Sequence, residues 1–187
     1  MKFLRLLAFF TLLNSAAFAQ IFQLGIRGGV NSYDVRYKEI TVNNIVADPV
    51  TGKDGKVVII ANNGDNTIVA DNNDNVAISS GTGNDDISAQ GTSNEVTITA
   101  GDGKNHINTD GSKIVDITTG SGNDVITSTD GESVTIVAGA GNNTITTDGS
   151  DTVHITTGEG NDAITSWGSE TVTIDAGNGT NTIHVSA

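Results

Sequence analysis

Nineteen residues separate Gly101 from Gly120, Gly120 from Gly139, Gly139 from Gly158 and Gly158 from Gly177, and a period that short and regular constrains the fold more than any propensity does. Successive units read TTGSGNDVITSTDGESVTI, VAGAGNNTITTDGSDTVHI and TTGEGNDAITSWGSETVTI. A fixed period of this kind belongs to stacked supersecondary units, each too small to bury its own apolar face and each covered by its neighbours. From Asn62 to Ala187 every unit holds two short β-patterned runs and two turns.

One run has the pattern V-x-I, at Val96/Ile98, Val115/Ile117, Val134/Ile136, Val153/Ile155 and Val172/Ile174, and the alternation puts each pair on one face of a strand. The other run carries a single Ile, at Ile68, Ile87, Ile107, Ile126, Ile145, Ile164 and Ile183, followed two residues later by a small or hydroxyl side chain in most units. Between the runs lie G-x-G-N-D and its variants on one edge, and on the other T-D-G at Thr109–Gly111, Thr129–Gly131 and Thr147–Gly149. Gly and Asx supply turn conformations at both places. The reading is an all-β chain, a parallel β-solenoid (a β-roll or flattened β-helix) of about seven 19-residue coils, residues 62–187. With strands about 4.8 Å apart, such a stack is on the order of 35 Å long.

Upstream, Lys2 and Arg5, the apolar run Leu6–Leu13 and Ala17-Phe18-Ala19 have the layout of a signal peptide, residues 1–19. Its apolar stretch is too short to span a bilayer as a helix. Residues 20–38 do not repeat and are expected to cap the stack, and residues 39–61 read as degenerate first coils, with Val57 and Ile59 as an early V-x-I run. The expectation is a secreted, extracellular or cell-surface protein, or a periplasmic one. Cysteine is absent, so stability must come from stacking, from metal, or from both. The net charge of −13 becomes −15 without Lys2 and Arg5, and Lys113 is the last basic residue. An anionic surface of this kind repels nucleic acid and attracts cations.

The edge Gly81-Thr82-Gly83-Asn84-Asp85 recurs as Gly120-Ser121-Gly122-Asn123-Asp124 and as Gly158-Glu159-Gly160-Asn161-Asp162. In this motif the chain resembles the repeats-in-toxin family of calcium-binding β-rolls, whose G-G-x-G-x-D-x-U-x repeat loops around calcium. The resemblance implies calcium held by Asp85, Asp124 and Asp162, with loop carbonyls from Gly81, Gly83, Gly120, Gly122, Gly158 and Gly160. Calcium takes six to eight hard oxygens in a tolerant geometry, which glycine loops can supply. The Asp position alternates with Asn, running Asn66, Asp85, Asn105, Asp124, Asn143, Asp162, Asn181, and the residue before the first loop glycine is Ser80, Ala100, Thr119, Ala138, Thr157 or Ala176. Two consecutive coils therefore offer one carboxylate, and Asn105, Asn143 and Asn181 would join the ligand set as neutral members. The same alternation also suits a metal-free ladder of Asx side chains bonded along the stack.

Outward positions are rich in Thr, with Thr127, Thr146 and Thr165 in consecutive coils. The 19-residue period with G-x-G-N-D also resembles the calcium-dependent solenoids of bacterial ice-binding adhesins, which implies an ice or cell-surface ligand. Thr is equally a favoured exposed-strand residue. His106, His154 and His184 are too scattered for a catalytic or zinc cluster, and Trp167 stands at a turn where other coils have Asp. The reading is a non-catalytic calcium-binding roll acting as a structural or adhesive module. The alternatives are a metal-free solenoid that self-associates through its open C-terminal coil, and an ice binder.

Overall fold

A V-x-I run buries on one side only if something faces it, and the partner here is the single-Ile run of the same coil. The computed structural model describes residues 56–186 together with two short strands, β1 (Phe22–Gln23) and β2 (Asn44–Val46). The signal-peptide reading of residues 1–19 lies outside the described residues, as does most of the cap at 20–38. The remaining strands are β3 (Lys56–Ile60), β4 (Thr67–Val69), β5 (Asn75–Ser79), β6 (Asp86–Gln90), β7 (Glu95–Thr99), β8 (His106–Asp110) and β9 (Ile114–Thr118). They continue as β10 (Val125–Thr129), β11 (Ser133–Ala138), β12 (Thr144–Asp148), β13 (Thr152–Thr157), β14 (Ala163–Trp167), β15 (Thr171–Asp175) and β16 (Thr182–Ser186).

Successive strands alternate between two parallel sheets. One has seven strands in the order β3-β5-β7-β9-β11-β13-β15, and the other nine, with β1 and β2 at one end followed by β4 and the even-numbered strands to β16. Each strand pairs with its equivalent in the next coil, so identical positions stack: Ile107 on Ile126, Ile126 on Ile145, and Val115 on Val134. This is a parallel β-solenoid of about seven coils. Parallel pairing is possible because each coil supplies its own crossover through the opposite sheet.

The core is a thin slab of columns. Val57/Ile59 through Val153/Ile155 line the seven-stranded side and Ile68 through Ile164 the other, each buried to within a few per cent. Beside the Ile column the inner positions are small, Ala70 and Ala89 giving way to Thr109, Ser128, Thr147 and Ser166, all fully buried. With β-branched side chains facing small ones, the two sheets approach closely enough to fill the space without aromatic residues.

The steps from β1 to β2, Phe22 pairing with Ile45, and from β2 to β4, Ile45 pairing with Ile68, are longer than the repeat, and two further details differ from it. The step from β5 to β7 is twenty residues, Val76 pairing with Val96, because the intervening turn holds one extra residue. Asn94 and Glu95 both direct their N–H at the Asp74 carbonyl, at 3.0 and 3.4 Å. The three T-D-G triplets are also not equivalent. Thr109 and Thr147 are buried and Gly111 and Gly149 take positive φ, whereas Thr129 lies one register later, outward beside Asp148. In that coil Asp130 takes the left-handed conformation at φ 54 and Gly131 falls in the buried column. Asp tolerates that region better than most residues. Among the described residues no helix is long and apolar enough to cross a membrane.

Candidate functional site

The G-x-G-N-D edge joins the end of each seven-stranded-sheet strand to the next strand of the nine-stranded sheet. Its glycines are there for close approach. The second glycine takes positive φ in Gly83, Gly103, Gly122, Gly141 and Gly160, and a Cβ on each would overlap the carbonyl oxygen of the equivalent glycine one coil earlier. Their carbonyls are therefore packed against the next coil.

The structure stacks all seven predicted Asx residues in one inward column. Asp85, Asp124 and Asp162 are 1%, 0% and 1% exposed, and Asn66, Asn105 and Asn143 are buried beside them. Oδ1 of Asp124 accepts the Asn105 backbone N–H at 2.8 Å and its side-chain amide at 3.1 Å. Asp85 receives the same pair from Asn66, at 3.0 and 2.9 Å, and Asp162 receives the Asn143 backbone N–H at 2.8 Å. In return the N–H groups of Asp85, Asp124 and Asp162 donate to Oδ1 of Asn105, Asn143 and Asn181, at 3.2, 3.1 and 2.9 Å. The Asn amides also cap the glycine loops. Asn105 donates to the Gly101 carbonyl at 3.0 Å and leans on that of Gly103 at 3.5 Å, and Asn143 donates to Gly139 and Gly141 at 3.1 and 3.2 Å.

The Asn coils and the Asp coils differ in what surrounds their loop oxygens. In the Asn coils an amide N–H₂ gathers the loop carbonyls and a carboxylate oxygen that a cation would otherwise gather, and in the Asp coils the Asp Oδ1 atoms face N–H donors. Successive carboxylates are separated by an Asn coil, and the described residues hold no cluster of three or more His, Asp or Glu side chains able to take a metal. The second carboxylate oxygens have a different surrounding. Asp162 Oδ2 accepts the Thr157 hydroxyl at 2.7 Å, whereas Asp85 Oδ2 and Asp124 Oδ2 are buried without a partner, as are Ser80 Oγ and Thr119 Oγ1.

A second, exposed Asx column runs outside the first, which reading the motif as a ligand loop did not anticipate. Oδ1 of Asn123 accepts the Asn142 N–H, Asn142 that of Asn161, and Asn161 that of Thr180, each at 2.8 Å. Between its two glycines Asp102 does the same: its Oδ1 accepts the Ser121 N–H at 2.7 Å and its hydroxyl at 2.9 Å. Those two bonds, the backbone one first, hold the Asp102 carboxyl below the usual Asp range. A depressed folded-state pKa stabilises the fold above the unfolded value, and that contribution is lost as pH falls through the folded one. The Asp102 carboxyl titration followed by NMR is expected to fall below that of a free Asp, and Ser121→Ala to raise it part of the way, since the backbone donor remains.

Thr127, Thr146 and Thr165 do form one outward column, bounded by Asn108 and His184. On the opposite sheet the central column alternates Thr97, Asp116, Thr135, His154, Thr173. His106 and His184 share the nine-stranded sheet at opposite ends of five successive strands, and His106 Nδ1 lies 3.1 Å from Asp86 Oδ1 at the surface. Trp167 is exposed at the end of its strand beside Asp148. Fold and edge together define a parallel β-solenoid with an internal Asx ladder. No protein-family model, curated protein or solved structure matches the chain.

Proposed function

We propose that the chain is a non-catalytic structural or adhesive rod, exported by its first nineteen residues and held together by its own hydrogen-bonded coils rather than by calcium. The observation that carries this reading is the inward Asx column, in which each Asp from 85 to 162 both accepts from the Asn before it and donates to the Asn after it. A rod whose turns are short, whose interior is filled and whose walls carry small polar side chains suits spacing or surface attachment. The acidic surface keeps such rods apart and soluble.

The test uses the full chain expressed with its own leader. The protein is expected outside the cytoplasm beginning at Gln20, with a far-UV circular dichroism melt that is the same in millimolar calcium and in excess chelator. Retention in the cytoplasm with the leader intact would remove the export reading. Unfolding in chelator would remove the metal-free reading and restore calcium at Asp85, Asp124 and Asp162.

A further inference from the structure

The inward residue five positions before each Asx completes the V-x-I strand as a third core position. Across seven coils the pairs are Ala61/Asn66, Ser80/Asp85, Ala100/Asn105, Thr119/Asp124, Ala138/Asn143, Thr157/Asp162 and Ala176/Asn181. A hydroxyl stands wherever the Asx is Asp and a methyl wherever it is Asn, without exception. The positions from 61 to 157 are buried, Ser80, Thr119 and Thr157 being 5%, 4% and 4% exposed, so surface solubility does not account for the choice.

Donor and acceptor accounting does. An Asn presents an N–H₂ to its own loop carbonyls and to the next carboxylate, and needs nothing more from the strand. An Asp has an oxygen in place of that nitrogen. Its Oδ1 is already used along the column, and its Oδ2, buried, requires a donor whose absence is costly. At Thr157 and Asp162 the donor is seen, the hydroxyl at 2.7 Å. In the two other Asp coils the unpartnered buried atoms come as the matching acceptor and donor, Asp85 Oδ2 with Ser80 Oγ and Asp124 Oδ2 with Thr119 Oγ1. They occupy the positions that Thr157 and Asp162 occupy in their own coil.

We infer that the structural unit is a pair of coils. In it Ser80, Thr119 and Thr157 are positioning residues that hold the second oxygen of a buried carboxylate, doing by hydrogen bond what a cation would do in a metal roll. This rests on the metal-free reading above and adds to it the specific partner of each Asp.

A double-mutant cycle at the central pair tests it, with Thr119→Val, Asp124→Asn and the two combined, all melted in chelator. Thr119→Val keeps the shape and removes the hydroxyl, so the bond is separated from packing. Thr119→Val alone is expected to lower Tm by about 5 °C or more, the loss of a hydrogen bond to a charged group. In the Asp124→Asn background the same change is expected to move Tm by less than about 2 °C, since the new amide supplies its own donors as in the Ala/Asn coils. Equal losses in both backgrounds would overturn the pairing while leaving the metal-free rod standing. A wild-type chain that unfolds in chelator would instead remove the reading beneath it. If Thr119→Val does not fold, recovery in the double variant still supports the pairing, and failure to recover overturns it.

Discussion

Gly122→Ala is expected to destabilise the rod strongly at its middle. Gly122 lies at φ +142, and a Cβ there would overlap the carbonyl oxygen and carbon of Gly103, which are backbone atoms and cannot turn aside. An L residue in such a conformation costs of order 1–3 kcal/mol before any contact is counted. Relieving the overlap means moving one coil off the next. That would break the Gly103 N–H bond to the Ser121 carbonyl at 2.8 Å and disturb the Gly103 carbonyl that Asn105 reaches. Together these amount to at least about 3 kcal/mol, a Tm lower by about 10 °C or more for a domain of this size.

Gly64→Ala is the internal control. Gly64 also has a positive φ, +112, but among the described residues nothing lies within 4 Å of its would-be Cβ. It carries the conformational strain without the overlap, and its loss is expected to be the smaller by several degrees. Equal losses at the two positions would mean that strain alone, and not the approach of neighbouring coils, explains the glycine column.

That contrast bears on how much could be read in advance. The period, the V-x-I strands, the single-Ile strands and the two edges were legible because each is a local pattern repeated without change, and stacking in parallel register follows from repetition itself. The phase of the second edge was not. Thr129-Asp130-Gly131 looks like Thr109-Asp110-Gly111, yet it is displaced by one residue, and only the strand pairing reveals that Asp130 and not Gly131 takes the positive φ. The twenty-residue step was visible in the spacing of Asp85 and Asn105, but not which turn absorbs the extra residue. The Asx alternation was visible as well. Its meaning depends on what lies one coil away and five residues back, and a carboxylate bonded by two N–H groups looks the same in sequence as one that binds a cation. The signal that could have separated them was the strict pairing of hydroxyl with Asp and of Ala with Asn, which becomes legible once the strand phase places both side chains inside.

Asn105→Asp puts the wrong member into that pairing and is expected to be among the most damaging single changes in the column. Asn105 donates its amide to the Gly101 carbonyl and to Asp124 Oδ1, and its own Oδ1 receives the Asp85 N–H. A carboxylate in its place keeps only the last of these. It also faces Asp124 across one coil spacing and finds Ala100, with no hydroxyl, five residues back. An uncompensated buried charge of this kind costs about 3–5 kcal/mol, so in chelator the variant is expected to melt more than about 10 °C below the parent. The amide sits among the Gly101 and Gly103 carbonyls and the Asp124 carboxylate, at 3.0, 3.5 and 3.1 Å. Replacing its nitrogen by oxygen turns that place into a set of hard oxygen ligands carrying two negative charges, the chemistry calcium prefers. Millimolar calcium should then recover much of the lost stability in the variant while leaving the parent unmoved, because a ligand that binds only the folded state raises its melting temperature. A variant that melts like the parent in chelator would show that the Asn amide does not hold the coils together. A variant that is destabilised but ignores calcium would show that the amide holds the column without standing in a cation's place.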